Sequence, residues 1–172
     1  CHYCNFHFST SLKNKKVLIK AMLNEIEIKS KSSSDIIETI YFGGGTPSIL
    51  KENEINSFIK IICKNYKTSK NLEITLEANP DDLSKEKLNS LSQTMINRLS
   101  IGVQSFLDYD LKLMNRAHNS DTSKKCIEIA KNYFKNISID LIYGMPKSNL
   151  ESWDYNLNTA ISFDLSHISA YA

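Results

Sequence analysis

No stretch of this chain approaches the roughly 20 consecutive apolar residues that a membrane-spanning helix needs, because charges interrupt every strong run. That leaves no candidate for a helical membrane span. A block of one charge sign is missing as well: 21 Lys and Arg face 19 Asp and Glu, and the net charge of +2 is spread over lysine-rich helical faces. No basic stripe points to nucleic acid or to a membrane surface, and a solvated exterior accounts for the lysines. Cysteine is scarce, at four residues. The first residues carry neither the basic start nor the apolar run of an export signal. Cysteines in that setting predict a reducing compartment, the cytoplasm, where a close pair serves a metal or redox site more often than a disulfide.

At 172 residues, 41% apolar and 23% charged, the chain has the make-up of a globular domain with one core, and no linker divides it. Short β-branched runs alternate with longer stretches of helical spacing. The runs are ETIYFGGGTPS, NLEITLEANP, NRLSIGVQS, NISIDLIYGMP and SHISAYA. Between them, Ile55, Phe58, Ile59 and Ile62 make one helical stripe, Leu88, Leu91 and Met95 a second, and Cys126, Ile129, Ala130 and Tyr133 a third. A last helix with Leu150, Trp153, Leu157 and Ile161 is expected to start at a capping box of Ser148 and Glu151. Lys29 to Ser34 reads as a polar connection. Strands joined by crossover helices predict an α/β fold with a parallel sheet and right-handed crossovers. Five strands are too few for a closed eight-stranded barrel, but in barrels and open sheets alike the chemistry sits at the carboxyl ends of the strands. GGGTP closes the first strand, Glu77 the second and Gln104 the third, and Asp140 lies within the fourth.

Each of these signals has an ordinary structural reading. Three glycines before Thr-Pro make a tight turn, or a loop whose bare backbone admits a ligand and offers it N–H groups. Glu77 pairs with a lysine, or faces the same mouth as Gln104. Cys1-x-x-Cys4 fits zinc, a thioredoxin-type redox pair or an iron-sulfur cluster, and no second pair has the spacing of a four-ligand zinc site. Cys63 and Cys126 lie on apolar stripes and are expected to be buried structural thiols. His2, His7, His118 and His167 are read as structural, and none is assigned to haem.

A Cys-x-x-Cys loop ahead of the first visible strand, with Gly-Gly-Gly-Thr-Pro after that strand, resembles the radical S-adenosylmethionine (SAM) enzymes. Their signature is Cys-x-x-x-Cys-x-x-Cys, so Cys1 and Cys4 resemble its second and third cysteines, and the first is expected four residues upstream. YFGGGTPS, EITLEANPDDL, NRLSIGVQSF, LMNRAH, SIDLIYGMP and HISAY are similar, in order, to blocks of the oxygen-independent coproporphyrinogen III oxidase family, which includes the HemW haem chaperones. The resemblance implies a partial (β/α)6 TIM-like barrel of the radical SAM type with its first strand missing. Residues 1–172 would be its radical SAM core domain, cut within the cluster motif and lacking a C-terminal domain.

The resemblance also implies cofactors and roles. A [4Fe-4S] cluster held by Cys1, Cys4 and the upstream cysteine leaves one iron open to the amino and carboxylate groups of SAM. Tyr3 lies along the adenine. Gly44, Gly45 and Thr46 contact the methionyl part, with Glu77 beside it. Gln104 and Asp140 fit the ribose hydroxyls, and Arg116 meets the SAM carboxylate, its alternative being an ordinary helix-surface arginine. No catalytic residue is assigned. The oxidase branch carries a further cysteine two positions after the third ligand, where this sequence has Phe6, as the chaperones have an aromatic residue. The expectation is therefore a HemW-like protein that binds cluster, SAM and haem. The alternatives are an oxidative decarboxylase of coproporphyrinogen III and a radical SAM enzyme of another substrate. Implied partners are haem or a porphyrinogen, an electron donor and, for a chaperone, a haem-acceptor protein.

Overall fold

Hydrogen bonding joins five parallel strands side by side in their order along the chain: β1 (Ile36–Phe42), β2 (Lys67–Ala78), β3 (Arg98–Gln104), β4 (Asn136–Ile142) and β5 (His167–Tyr171). The computed structural model describes residues 2–4 and 9–172, so the expectations placed on Cys1, Phe6 and His7 lie outside the described residues. Helices α1 (Lys15–Ser30), α2 (Glu52–Asn65), α3 (Lys85–Ser92), α4 (Asp108–Leu113), α5 (Ser120–Ala130) and α6 (Leu150–Ser162) precede, link or flank the strands. A sheet whose order never reverses has no switch point of the doubly wound kind. Right-handed crossovers then place the connecting helices on one side, and the sheet curls into a half-barrel. The expected partial barrel is what the chain forms.

Alternation along the strands sorts side chains by chemistry. Ile74, Leu76, Leu99, Ile101, Ile139 and Leu141 join Ile55, Ile59, Leu88, Leu91 and Ile127 of the helices in one buried cluster. The alternate positions are polar. Arg98 donates to Thr75 Oγ1 at 3.3 Å and to Ser138 Oγ at 2.9 Å, Ser138 donates to Ser100 Oγ at 3.0 Å, and Ser100 Oγ lies 3.4 Å from both Asp140 oxygens. A closed barrel fills this face with layers of branched apolar side chains. Here it is a hydrogen-bonded polar wall, suited to a wet cavity.

Several sequence expectations shift. Helix α1 runs to Ser30, so the polar connection from Lys29 begins inside a helix. β2 starts at Lys67, before the expected run, with a register irregularity between Ile37 and Thr39 of β1. Met95 is exposed because α3 stops at Ser92, and Ile96 takes the buried place. Cys63 is exposed at the edge of the α2 stripe, whereas Cys126 is buried as expected. The capping box of α6 sits one residue later than expected: Asn149 Oδ1 accepts the Ser152 N–H at 2.9 Å and Ser152 Oγ accepts the Asn149 N–H at 3.0 Å. The face of α6 differs from the expected stripe too, leaving Leu150 and Ile161 exposed while Asn156 and Ala160 are buried.

Candidate functional site

The turn after β1 is built around Glu77. Its Oε1 accepts the Tyr41 hydroxyl at 2.8 Å and its Oε2 accepts the Gly44 N–H at 3.0 Å. Gly44 and Gly45 have φ of 77° and 59°, the left-handed region that glycine enters without strain, and nothing within 4 Å would meet a side chain there. Gly43 is needed for space instead, because an added Cβ would lie 2.6 Å from Tyr41 Cε1 and 3.1 Å from Glu77 Oε1. Pro47 then starts a short 3-10 turn, Pro47–Ile49, with Thr46 ahead of it. Among the described residues no hydrogen bond ties the Thr46 side chain to Glu77. A carboxylate has about four acceptor directions. Tyr41 and Gly44 occupy two, which leaves Glu77 able to take a cationic ligand group.

Arg116 lies in the loop between α4 and α5, outside any helix, which removes the helix-surface alternative. Its Nη2 donates to Asn79 Oδ1 at 2.7 Å and to the Gly102 carbonyl at 2.9 Å, and its Nη1 lies 3.4 Å from the Tyr3 hydroxyl. Asn79 in turn lies 3.5 Å from Asp82 Oδ2, which accepts the Ser48 hydroxyl at 2.6 Å. The segment after β2 thus braces the Arg116 loop on one side and the glycine turn on the other. The backbone of His2 donates to the Met114 carbonyl at 3.0 Å, so the Tyr3–Cys4 segment is fastened to the same loop. Burial raises the Tyr3 phenol above its ordinary range, opposed by the Arg116 charge.

Gln104 ends β3 at a φ of 69° and is nearly buried, with its amide over Gly102, where a Cβ would come 2.7 Å from Nε2. Asp140 stands on β4 beside Ser100, the register partner of Glu77. Burial pushes the Asp140 carboxyl up, and the Glu77 charge adds to that, while hydrogen bonds from Ser169 and Ser100 and the Arg98 charge oppose it. The structure therefore gathers Glu77 with Gly44, Arg116 with Tyr3, Gln104 with Arg116 across Gly102, and Asp140 with Ser100, on the inner face and at the carboxyl ends of the strands.

Sequence reasoning missed Tyr41, Gly43, Asn79 and Gly102. An isolated glycine inside a strand marks a close approach or a bulge, so Gly102 in SIGVQ was a legible signal. The donor set fits SAM: a carboxylate for an ammonium, a guanidinium for a carboxylate, and an amide and a carboxylate for hydroxyls. Cys4 is exposed, with a free thiol; among the described residues no three metal-ligating side chains converge. A groove of about 700 Å³ between α5 and α6, lined by Lys124, Glu128, Lys131 and Tyr155, holds none of these candidates.

Comparison with known proteins agrees with this architecture. The haem chaperone HemW of Bacillus subtilis (strain 168) is 38% identical over 176 residues, covering 100% of this chain and 46% of the relative. HemW of Escherichia coli (strain K12) is 30% identical, covering 99% and 46%. The chain thus spans about half the length of the curated relatives it matches. Among solved structures, the coproporphyrinogen III oxidase HemN from Escherichia coli, a radical SAM enzyme, superposes with a TM-score of 0.84 at 26% identity, over 100% of this chain and 42% of that one. The archaeal Elp3 of Methanocaldococcus infernus shares the fold at a TM-score of 0.69 and 22% identity, over 90% of this chain and 41% of that one. The family description "Radical SAM superfamily" matches residues 1–159, and with the strand order and the likeness to HemN it establishes that this chain belongs to the radical SAM superfamily.

Proposed function

We propose that residues 1–172 are the cofactor-binding core domain of a HemW-like haem chaperone, which holds a [4Fe-4S] cluster, SAM and haem. The observation that carries the cofactor part is the convergence of Glu77, Gln104, Arg116 and Asp140 at one mouth, with Tyr3 against Arg116. Cys1 and Cys4 supply two thiolates of the cluster. When bound together, cluster and SAM supply one-electron chemistry at the strand ends.

The residues of this chain bind and orient. Glu77, steadied by Tyr41 and Gly44, takes the amino group of SAM, and Gly45 and Thr46 flank its methionyl part. Arg116 takes the carboxylate with the planar geometry that suits it. Gln104 and Asp140 receive the ribose hydroxyls, and Tyr3 lies along the adenine. Each polar contact is expected to contribute about 1 to 3 kcal/mol.

Support for the chaperone branch comes from relatives named haem chaperone at 30–38% identity and from Phe6 in place of the oxidase's extra cysteine. A second reading, coproporphyrinogen III decarboxylation, is favoured by the likeness to the oxidase. Haem or a porphyrinogen, an electron donor and a haem-acceptor protein are the proposed partners, and the cytoplasm is the proposed compartment. Among the described residues no helix is long and apolar enough to cross a membrane.

The test uses the full-length protein, purified without oxygen and reconstituted with iron and sulfide. A haem titration read in the visible spectrum is run beside incubation with reductant, SAM and coproporphyrinogen III. Haem binding at about four irons per chain without decarboxylated product is the expected result. Product formed over many turnovers selects the oxidase, and neither haem binding nor turnover selects another radical SAM substrate.

A further inference from the structure

β3 ends in a register irregularity whose carbonyls are reached by two side chains of a neighbouring loop. Its ladder with β2 stops at Ile101, and its ladder with β4 passes from Ile101 to Gln104. Gly102 and Val103 are buried and have no register partner on either side. Buried carbonyls require donors. Two carbonyls of the irregularity are reached from one short loop: Arg116 Nη2 donates to Gly102 O at 2.9 Å and His118 Nε2 lies 3.1 Å from Val103 O. The same two side chains also reach the segment after β2: Arg116 meets Asn79 Oδ1, and His118 Nδ1 lies 3.3 Å from Asp81 Oδ1.

The two grips differ in kind. The His118 side chain has no exposed surface, and a stiff ring packed between Val103 O and the Asp81 carboxylate is a fixed point. Arg116 is a long side chain at the rim, on a loop that turns through Asn115 at a φ of 55°. A loop with one buried anchor keeps its neighbour's guanidinium at a set height above the strand ends.

We propose that His118 is a positioning residue for Arg116, and through it for the carboxylate of SAM. The proposal rests on the assignment of Arg116 to that carboxylate. Both partners are acceptors, so the neutral ring donates from Nε2 to Val103 O, and Nδ1 donates to Asp81 as well when the ring is protonated.

The test uses the full-length reconstituted protein and calorimetry with SAM. His118→Leu keeps bulk and removes both contacts, and it is expected to weaken binding about tenfold, equivalent to about 1.4 kcal/mol. His118→Gln retains a donor within reach of Val103 O and is expected to stay within about threefold of the parent. Because His118 acts through Arg116, the double variant with Arg116→Ala should bind no more weakly than Arg116→Ala alone. In the SAM-free protein, amide exchange across residues 115–119 should quicken in His118→Leu and return toward the parent in His118→Gln.

Parent-like SAM binding by His118→Leu, alongside weak binding by Arg116→Ala, overturns the positioning role and leaves the SAM site standing. Full additivity in the double variant overturns it too. If Arg116→Ala binds SAM normally, the carboxylate assignment fails, and the exchange data alone then decide whether His118 anchors the loop. Should His118→Leu fail to fold, Asp81→Ala removes the second grip, with exchange read at a pH where the ring is protonated. Faster exchange at residues 115–119 supports the proposal, and parent-like exchange overturns it.

Discussion

Tyr41 holds Glu77 from the neighbouring strand. The hydroxyl donates to Oε1 at 2.8 Å while the Gly44 N–H takes Oε2 at 3.0 Å, so the carboxylate is fixed from two directions before any ligand arrives. Tyr41 pairs in register with Thr75, two positions before Glu77, so the contact runs diagonally across the inner face. Burial, and then the Glu77 hydrogen bond and charge, push the Tyr41 phenol up to about 12, which keeps it a neutral donor at any working pH.

Removing that donor should loosen Glu77 without emptying the core, since Tyr41, desolvated only on the side that faces Glu77, is 55% exposed and lies outside the buried cluster. Tyr41→Phe is expected to weaken SAM binding about threefold to tenfold, part of the worth of a hydrogen bond to a charged group. Gly43→Ala should act the same way for a different reason, because its Cβ would displace the Tyr41 ring. Calorimetry on the reconstituted protein checks both, and parent-like affinity in both would mean that Glu77 is not held by this contact or does not meet SAM.

The sheet was legible because its signal is local. β-branched runs ending in Gly, Pro or Asn mark the strands, and the rule that chemistry sits at strand carboxyl ends singles out Glu77, Gln104 and Asp140. What escaped depends on contacts between distant segments. Asn79 and His118 gain their meaning only when the segment after β2 meets the loop after α4, 37 positions away. The face of α6 was misread for a related reason. Asn156 is polar and looks exposed by pattern, yet it is buried because the Phe106 N–H, 50 positions away, requires its oxygen. Leu150 and Ile161 are apolar and nonetheless face outward.

The two helix cysteines should separate cleanly by reactivity. Burial, with a smaller push from the Asp81 charge, raises the Cys126 thiol to about 12, while Cys63 is exposed. At pH 8 only about one Cys126 in ten thousand would be thiolate, and the thiolate is the reactive form. Alkylation of the native, reduced protein followed by peptide mapping should label Cys63 readily and Cys126 only after unfolding. Equal rates would contradict the packing of α5. Neither substitution should reduce the iron content of the reconstituted protein.

Asn156 offers a stability test. Its Oδ1 accepts the Phe106 N–H at 2.6 Å, beside Ser105, whose hydroxyl donates to the buried Asp110 at 2.8 Å. Asn156→Leu strands a buried N–H and should cost about 1 to 3 kcal/mol in urea denaturation. Ser105 and Phe106 directly follow Gln104, so SAM affinity should fall as well. A loss of stability below about 0.5 kcal/mol, the size of an ordinary surface change, would show that water replaces the amide.

Asp140 should trade stability against binding. Its folded-state pKa is raised, chiefly by burial, so ionisation is disfavoured in the fold. A carboxyl shifted in that direction contributes fully below the ordinary Asp value of about 3.9 and loses that contribution as pH rises through the folded value. At neutral pH the ligand-free protein therefore carries an unfavourable charge beside Glu77, which Asp140→Asn removes. The variant is expected to melt at a higher temperature than the parent at pH 7, with the gap narrowing as pH is lowered toward 4. Its affinity for SAM should move the other way, about threefold to tenfold weaker, because an amide is a poorer acceptor for a hydroxyl than a carboxylate. Scanning calorimetry across that pH range, with and without SAM, checks both halves. A variant less stable than the parent at pH 7 would mean that the hydrogen bonds from Ser100 and Ser169 outweigh the desolvation of the charge.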